Sequence, residues 1–243
     1  MYTPRIRDTD HTDRRINQLG ASLFFDPITI AHASANGIDD VFALYAGGRA
    51  GVLGDVTATQ AAAALGFFPV ELVRVIWAHG QAIMQPAQIA RIYADAMSEA
   101  ARQVWDCAAA KIVVELGTVV ADSVPLLGLP LFAGRREMAR PSDPVGAAVH
   151  VVHTLRELRG DIHVQSVGAQ GLRPLEAEVV SRGSEGAALH QWPQPWPDPA
   201  PFVEQVAAAD AATGERMCRM YACAIGVDGF TRFADAVDRL KPA

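Results

Sequence analysis

The sequence predicts an all-α protein: a multi-helix bundle with a helix-turn-helix-like hairpin and a Pro/Trp-rich arm leading to a C-terminal helical appendage. Three observations carry this. Alanine dominates the chain and few segments read as strands. Apolar residues recur at three- and four-residue spacing, the period of a helix face. Proline and short polar residues fall where helices begin.

Residues 1–10 read as a flexible tail. A helix starts near Thr12, with Ile16, Leu19, Leu23 and Phe24 as its apolar stripe, and Pro27 ends or restarts it. Ile28–Ser34 is a second helical piece. Ile38–Ala46 is a third, with Val41, Phe42 and Tyr45 turned inward. Four glycines come next within residues 47–54, which demands a tight or close-packed backbone. Thr57–Leu65 and Pro69–Ala78 pair as a hairpin across Gly66-Phe67-Phe68. Pro86–Glu115 can hold one long amphipathic helix, and Leu116–Arg140 is apolar and broken by prolines.

Ser142-Asp143-Pro144 opens the next helix, and Val164–Val180 is helical with interruptions at Gly168, Gly171 and Pro174. The string WPQPWPDPAP, residues 192–201, has five prolines in ten residues and reads as an extended arm. Phe202–Leu240 is a final helical pair, broken near Gly226-Val227-Asp228-Gly229. The expected organisation is a core over residues 11–190, an arm over 191–201 and C-terminal helices over 202–243.

The 243 residues suffice for a substantial core. Net charge is -6 with a sequence pI near 5.6, which argues against a polyanion as main partner, since phosphate neutralisation drives nucleic-acid binding. Cys107, Cys218 and Cys223 form no CxxC or CxxH pair, and an odd count at these spacings fits reduced thiols. The first fifteen residues lack a signal-peptide apolar core. No apolar run reaches the roughly 18–20 residues of a membrane span. The expectation is a soluble, cytoplasmic protein.

Chemistry concentrates in Val149–His163, which holds three histidines, two arginines, a glutamate and an aspartate. His150, His153 and Glu157 share one helical face, and one more turn adds Asp161. His163 lies opposite that face in a continuous helix and joins the cluster only if Gly160 breaks the helix. Such a row can be a solvated face, or it can line a pocket as an acid–base cluster of His150, Glu157, Asp161 and His163. Two histidines and a carboxylate can also hold a metal. If the row is buried its charges need partners, and Arg49, Arg156 and Arg159 are the candidates.

Arg49, among glycines, reads as a surface residue on a tight turn or as an anchor for an anion. Trp192 and Trp196 read as an arm packed on its own domain, or as a lid over a site or a clasp on a second subunit. The hairpin's second helix, Val70–Trp77, carries one arginine and one glutamate, so it suits burial better than reading DNA.

Around these residues the chain resembles a helix-turn-helix-like family of helical actinobacterial proteins. Tyr45-Ala46-Gly47-Gly48-Arg49-Ala50 with Leu53-Gly54, and His150 with Leu155–His163, carry the resemblance. Gly171-Leu172 and Leu175-Glu176-Ala177 continue it, and it spans roughly residues 12–180. Family members tend to end in a winged helix-turn-helix similar to those of multiple-antibiotic-resistance-type regulators. This chain departs there, because the Trp/Pro arm replaces much of that region and Phe202–Leu240 shows no basic wing. The resemblance implies a small-molecule pocket near Arg49 and the histidines.

The function expected from these readings is small-molecule binding, with a cofactor-independent biosynthetic enzyme as its sharpest form. The ligand class is a small apolar or anionic metabolite, held by Arg49, Arg159, Trp192 and Trp196. The alternatives are a ligand-responsive regulator of winged-helix ancestry and a metal- or haem-binding protein. The sequence names no cofactor and no metal. Specific DNA binding is not expected, nor is a membrane; a homodimer is.

Overall fold

The computed structural model describes residues 6–241, with side chains from Asp8 onward. Among these residues it holds eleven α-helices and no strand. They are α1 (Ile6–Phe24), α2 (Pro27–Ala35), α3 (Val41–Ala50), α4 (Ala58–Leu65), α5 (Val70–Ile83), α6 (Pro86–Val104), α7 (Cys107–Ser123), α8 (Pro130–Arg136), α9 (Pro144–Ala169), α10 (Pro174–Leu189) and α11 (Val203–Arg239). Half of the segment expected as tail is thus the first turn of α1. Its residues 1–5 lie outside the described residues.

Asp143 starts α9 as the polar-then-proline signal implies. Its side chain accepts from the Gly146 amide at 2.9 Å, and Pro144 takes the first position, where no amide partner is needed. For a helix so rich in charge, α9 is unusually enclosed. It is ringed by α1, α6, α7, α8 and α11, so it has no solvent face along most of its length. Val145, Val149, Val152, Leu155, Leu158 and Ile162 fill the main core, and the polar row between them is drawn inside as well.

Two expected boundaries shift for local reasons. The long helix over 86–115 breaks at Trp105-Asp106. There the Asp106 carboxylate accepts from the Ala109 amide at 2.6 Å and caps a new helix, while its own amide donates to Leu240 O at 2.8 Å. Gly47 and Gly48 lie inside α3, where they let it press against α6, while Gly51 opens the short 3-10 turn that follows and Gly54 closes it at a φ of 76°. A Cβ on Gly48 would stand 2.4 Å from Tyr93 Cγ. Close packing is therefore what the first two glycines provide, and a tight turn what the last two provide.

The α4–α5 hairpin packs on α3 through Ala46, Ala50, Leu65, Val73 and Trp77, which form a second small core. Thr57 and Gln60 close a reciprocal cap at its start. The C-terminal segment is integral to the bundle and not an appendage. α11 lies along α7, α9 and α1, and delivers Met217, Tyr221, Phe230 and Phe233 to the main core. The expected break falls at Gly226, whose φ of 65° is open to glycine at little cost. No described helix is long and apolar enough to cross a membrane.

Candidate functional site

A cavity of about 510 Å³ opens between α1, α3, the α4–α5 turn, α9 and α10. Its inner wall is built on charge. Arg49, at the end of α3, donates from Nε to Glu157 Oε1 at 2.9 Å and from Nη2 to Glu157 Oε2 at 2.6 Å. Arg156 donates to the same Glu157 Oε1 at 3.3 Å and to Asn17 Oδ1 at 3.0 Å. Two guanidinium groups thus share one carboxylate, all of it buried or nearly so. A buried charge needs a partner, and here one positive charge is left over.

Tyr45 completes this end. Its hydroxyl oxygen accepts from Arg49 Nη1 at 3.0 Å, which leaves the phenolic hydrogen available to a guest. Burial raises the Tyr45 pKa, but Arg49 and Arg156 outweigh it and the net direction is down. Burial likewise pushes Glu157 up, and the same arginines overcome it, holding the carboxyl at about 2. Glu157 is therefore an anion with both oxygens engaged, poorly placed to take a proton.

Farther along the wall, Arg159 stands 3.9 Å from Asp13 Oδ2, and Tyr221 donates to Asp13 Oδ1 at 3.1 Å. Burial raises Asp13 to about 7, against the pull of Arg159 and Tyr221. His163 shares a hydrogen bond with Thr213 Oγ1 at 3.2 Å and lies beside the Phe67 ring, 5.4 Å between centroids. Burial lowers its pKa, and Arg159 adds to this against the pull of Asp210. Gly160, between Arg159 and Asp161 on α9, forms bare backbone at the cavity wall.

Much of the remaining lining is aromatic, and it also carries the buried Glu178, 3.2 Å from His190 Nδ1 and 3.8 Å from Arg182 Nε. Phe24, Tyr45 and Phe68 form a chain of ring contacts with centroids 5.2 and 5.6 Å apart, and Phe68 meets His190 at 4.4 Å. At the mouth stand Phe25, Val41, Phe42 and Leu189, all exposed. This corrects the inward placement expected for Val41 and Phe42: they sit on the outer side of α3 and reach the cavity only as its rim.

The candidate residues are dispersed. Arg49, Arg159 and His163 line this cavity, with Glu157 directly behind Arg49. Asp161 does not join them in a cluster. It accepts from the Phe132 amide at 2.9 Å and so secures the first turn of α8, with burial raising its pKa to about 7. His150 lines a different cavity, and burial lowers its pKa to about 4. The solvated-face reading fails as well: His150, His153, Glu157 and Asp161 are all buried. Among the described residues no three His, Cys, Asp or Glu side chains gather as a metal-holding group.

The two arm tryptophans are half-buried and lie outside the cavity lining. Trp192 donates to Phe67 O at 3.2 Å, and Trp196 donates to Trp192 O at 3.0 Å. The arm thereby pins the turn that carries Phe67 and Phe68. Its contribution is to hold two aromatic lining residues in place. The sequence points to Arg156 as a charge partner, but not to Tyr45, Phe67 or Phe68 as site residues. The signal for the last two was an aromatic pair in a glycine turn, which read as a simple connection.

On α5 the outward face shows Val75, 69% exposed, and Arg74, which pairs with Glu71 of the same helix. A helix-turn-helix family matches residues 9–201 of the chain. No curated protein and no solved structure matches it.

Proposed function

We propose that this chain, which belongs to that helix-turn-helix family, is a small-molecule-binding protein. Its ligand has a single anionic head and a flat, apolar body. The observation that supports this most is the sharing of Glu157 by Arg49 and Arg156 at the inner end of an aromatic-lined cavity. A carboxylate entering there balances the surplus guanidinium charge and accepts from Tyr45. The body then lies among Phe24, Phe67 and Phe68. The cavity volume is in the range of small-molecule sites, roughly 300–1,000 Å³.

Binding fits the geometry better than acid–base catalysis by the four residues expected for it. Glu157 is locked in its ion pair, Asp161 is committed to α8 and His150 belongs elsewhere, which leaves His163 as the one member of the four in the cavity lining. A second reading, a ligand-responsive transcription regulator, draws support from the family match. The surface of α5 weighs against it, since its single arginine is neutralised by Glu71. Salt-sensitive retention on duplex DNA would favour that reading.

The test uses naphthoate and its neutral counterpart naphthamide as probes of charge and shape. Arg156→Gln removes the surplus charge while leaving the Arg49–Glu157 pair intact. It should weaken naphthoate by about 10-fold or more, since a charged hydrogen bond is worth about 1.5–3 kcal/mol, and leave naphthamide unchanged. Equal effects on both probes would sink the reading.

A further inference from the structure

On the other side of the Tyr93 ring lies a second cavity, of about 630 Å³, between α6, α8, the start of α9 and the turn at Gly51–Leu53. Tyr93 lines both spaces, and its ring meets His153 edge-on at 5.8 Å. The walls here are largely aliphatic, with Ala87, Ala90, Ala94, Met97, Met138 and Val149 among them, while Arg91, Asp95 and Glu137 are exposed members of the lining.

The unusual member of this lining is Arg135, which is 2% exposed. Its Nη2 donates to Gly48 O at 2.8 Å and its Nη1 to the Met138 sulfur at 3.3 Å. Its guanidinium also lies 5.6 Å from the centre of the Tyr93 ring. No described carboxylate comes within ion-pair distance, and Nε has no partner. A buried guanidinium served only by a carbonyl, a thioether and a ring face is under-compensated. Two histidines stand in the same wall. His153 is 2% exposed with both ring nitrogens unpartnered, and His150 faces the cavity beside it. Both are kept neutral, first by burial and then by Arg135, so each retains an N–H to donate.

We propose that this second cavity binds an aliphatic carboxylate, with Arg135 as its charge partner and His150 as a hydrogen-bond donor to the head group. A monoanion matches a buried guanidinium that has no carboxylate in ion-pair contact and feels Glu157 only from farther off. A flexible hydrocarbon tail matches walls of alanine, valine and methionine, where the first cavity offers rings. The two sites are separate: Arg49 and Arg156 serve one and Arg135 the other.

Octanoate, with octanamide as its neutral counterpart, tests this by calorimetric titration of the full chain. Wild type should bind octanoate at least about 10-fold more tightly than octanamide. Arg135→Met should erase that preference without lowering the melting temperature of the unliganded protein, because it removes a buried charge that lacks a partner. Ala94→Phe, which fills the cavity and leaves Arg135 in place, should abolish octanoate binding even if Arg135→Met does not fold. Arg156→Gln should leave octanoate affinity unchanged, so failure of the first-cavity reading is seen separately. Octanoate binding that is absent, matched by octanamide, or lost in Arg156→Gln but kept in Ala94→Phe overturns the proposal.

Discussion

Gly160 offers a perturbation whose two effects run in opposite directions. It lies in the interior of α9, where glycine is worse than alanine by about 1 kcal/mol. Nothing in the packing demands it. A Cβ built there meets no neighbour closer than 3.9 Å, the nearest atoms being Arg49 Nη2 and Glu157 Oε2. Gly48, by contrast, could not take one without displacing Tyr93. The absence of a side chain at 160 leaves open the space directly over the shared carboxylate. Gly160→Ala should therefore stabilise the unliganded protein by about 1 kcal/mol, a rise of about 2–4 °C in Tm for a chain of this size. Gly160→Leu extends three further carbons across the head-group position. It should keep most of that stability and weaken naphthoate by about 10-fold or more. Urea denaturation gives the first quantity and titration the second. If Gly160→Ala destabilises the fold, or Gly160→Leu binds naphthoate as tightly as wild type, the cavity is not where the ligand head sits.

The same structure sets other outcomes. Gly48→Ala drives a methyl group into the Tyr93 ring at 2.4 Å and should cost about 1–3 kcal/mol in denaturation experiments. Trp192→Phe removes the indole hydrogen bond to Phe67 O and should cost about 1 kcal/mol while raising hydrogen exchange in the Gly66–Phe68 turn. Asp13 tests the pH response. Its folded pKa of about 7 exceeds the ordinary 3.8, so the native state holds a proton that the unfolded chain has released. Its contribution is fully present below the ordinary value and is lost as pH rises toward 7. Asp13→Asn should therefore reduce the loss of stability between about pH 5 and about pH 7.5 by up to about 3 kcal/mol. Identical pH slopes in urea melts of the two proteins would rule out this role for Asp13.

The sequence made the helices legible where caps speak locally. Asp143-Pro144 marks the start of α9, and Gly226 marks the break in α11. It concealed the α6–α7 break because the apolar period continues across Trp105, and only the Asp106 cap reveals the restart. Gly47 and Gly48 carried a true signal of close backbone approach, but composition cannot tell a turn from a helix pressed on a neighbour. The site was legible in part for a similar reason. A helix wheel groups His150, Glu157 and Asp161 correctly, yet it assumes one environment on each side. α9 is surrounded, so successive turns of one face meet different neighbours: a cavity at His150, Arg49 at Glu157 and α8 at Asp161. The arginines were foreseen as charge partners. Which of them meets Glu157 is settled across 108 residues of chain by the α3–α6–α9 packing, and that lies beyond local pattern.

The proposed function stands on the surplus guanidinium beside Glu157 selecting an anion. A single comparison of naphthoate and naphthamide binding, in wild type and Arg156→Gln, measures this selection. Wild type should prefer naphthoate by about 10-fold or more, and the preference should collapse toward unity in the variant. A preference that survives the substitution, or one that never exists in wild type, contradicts it.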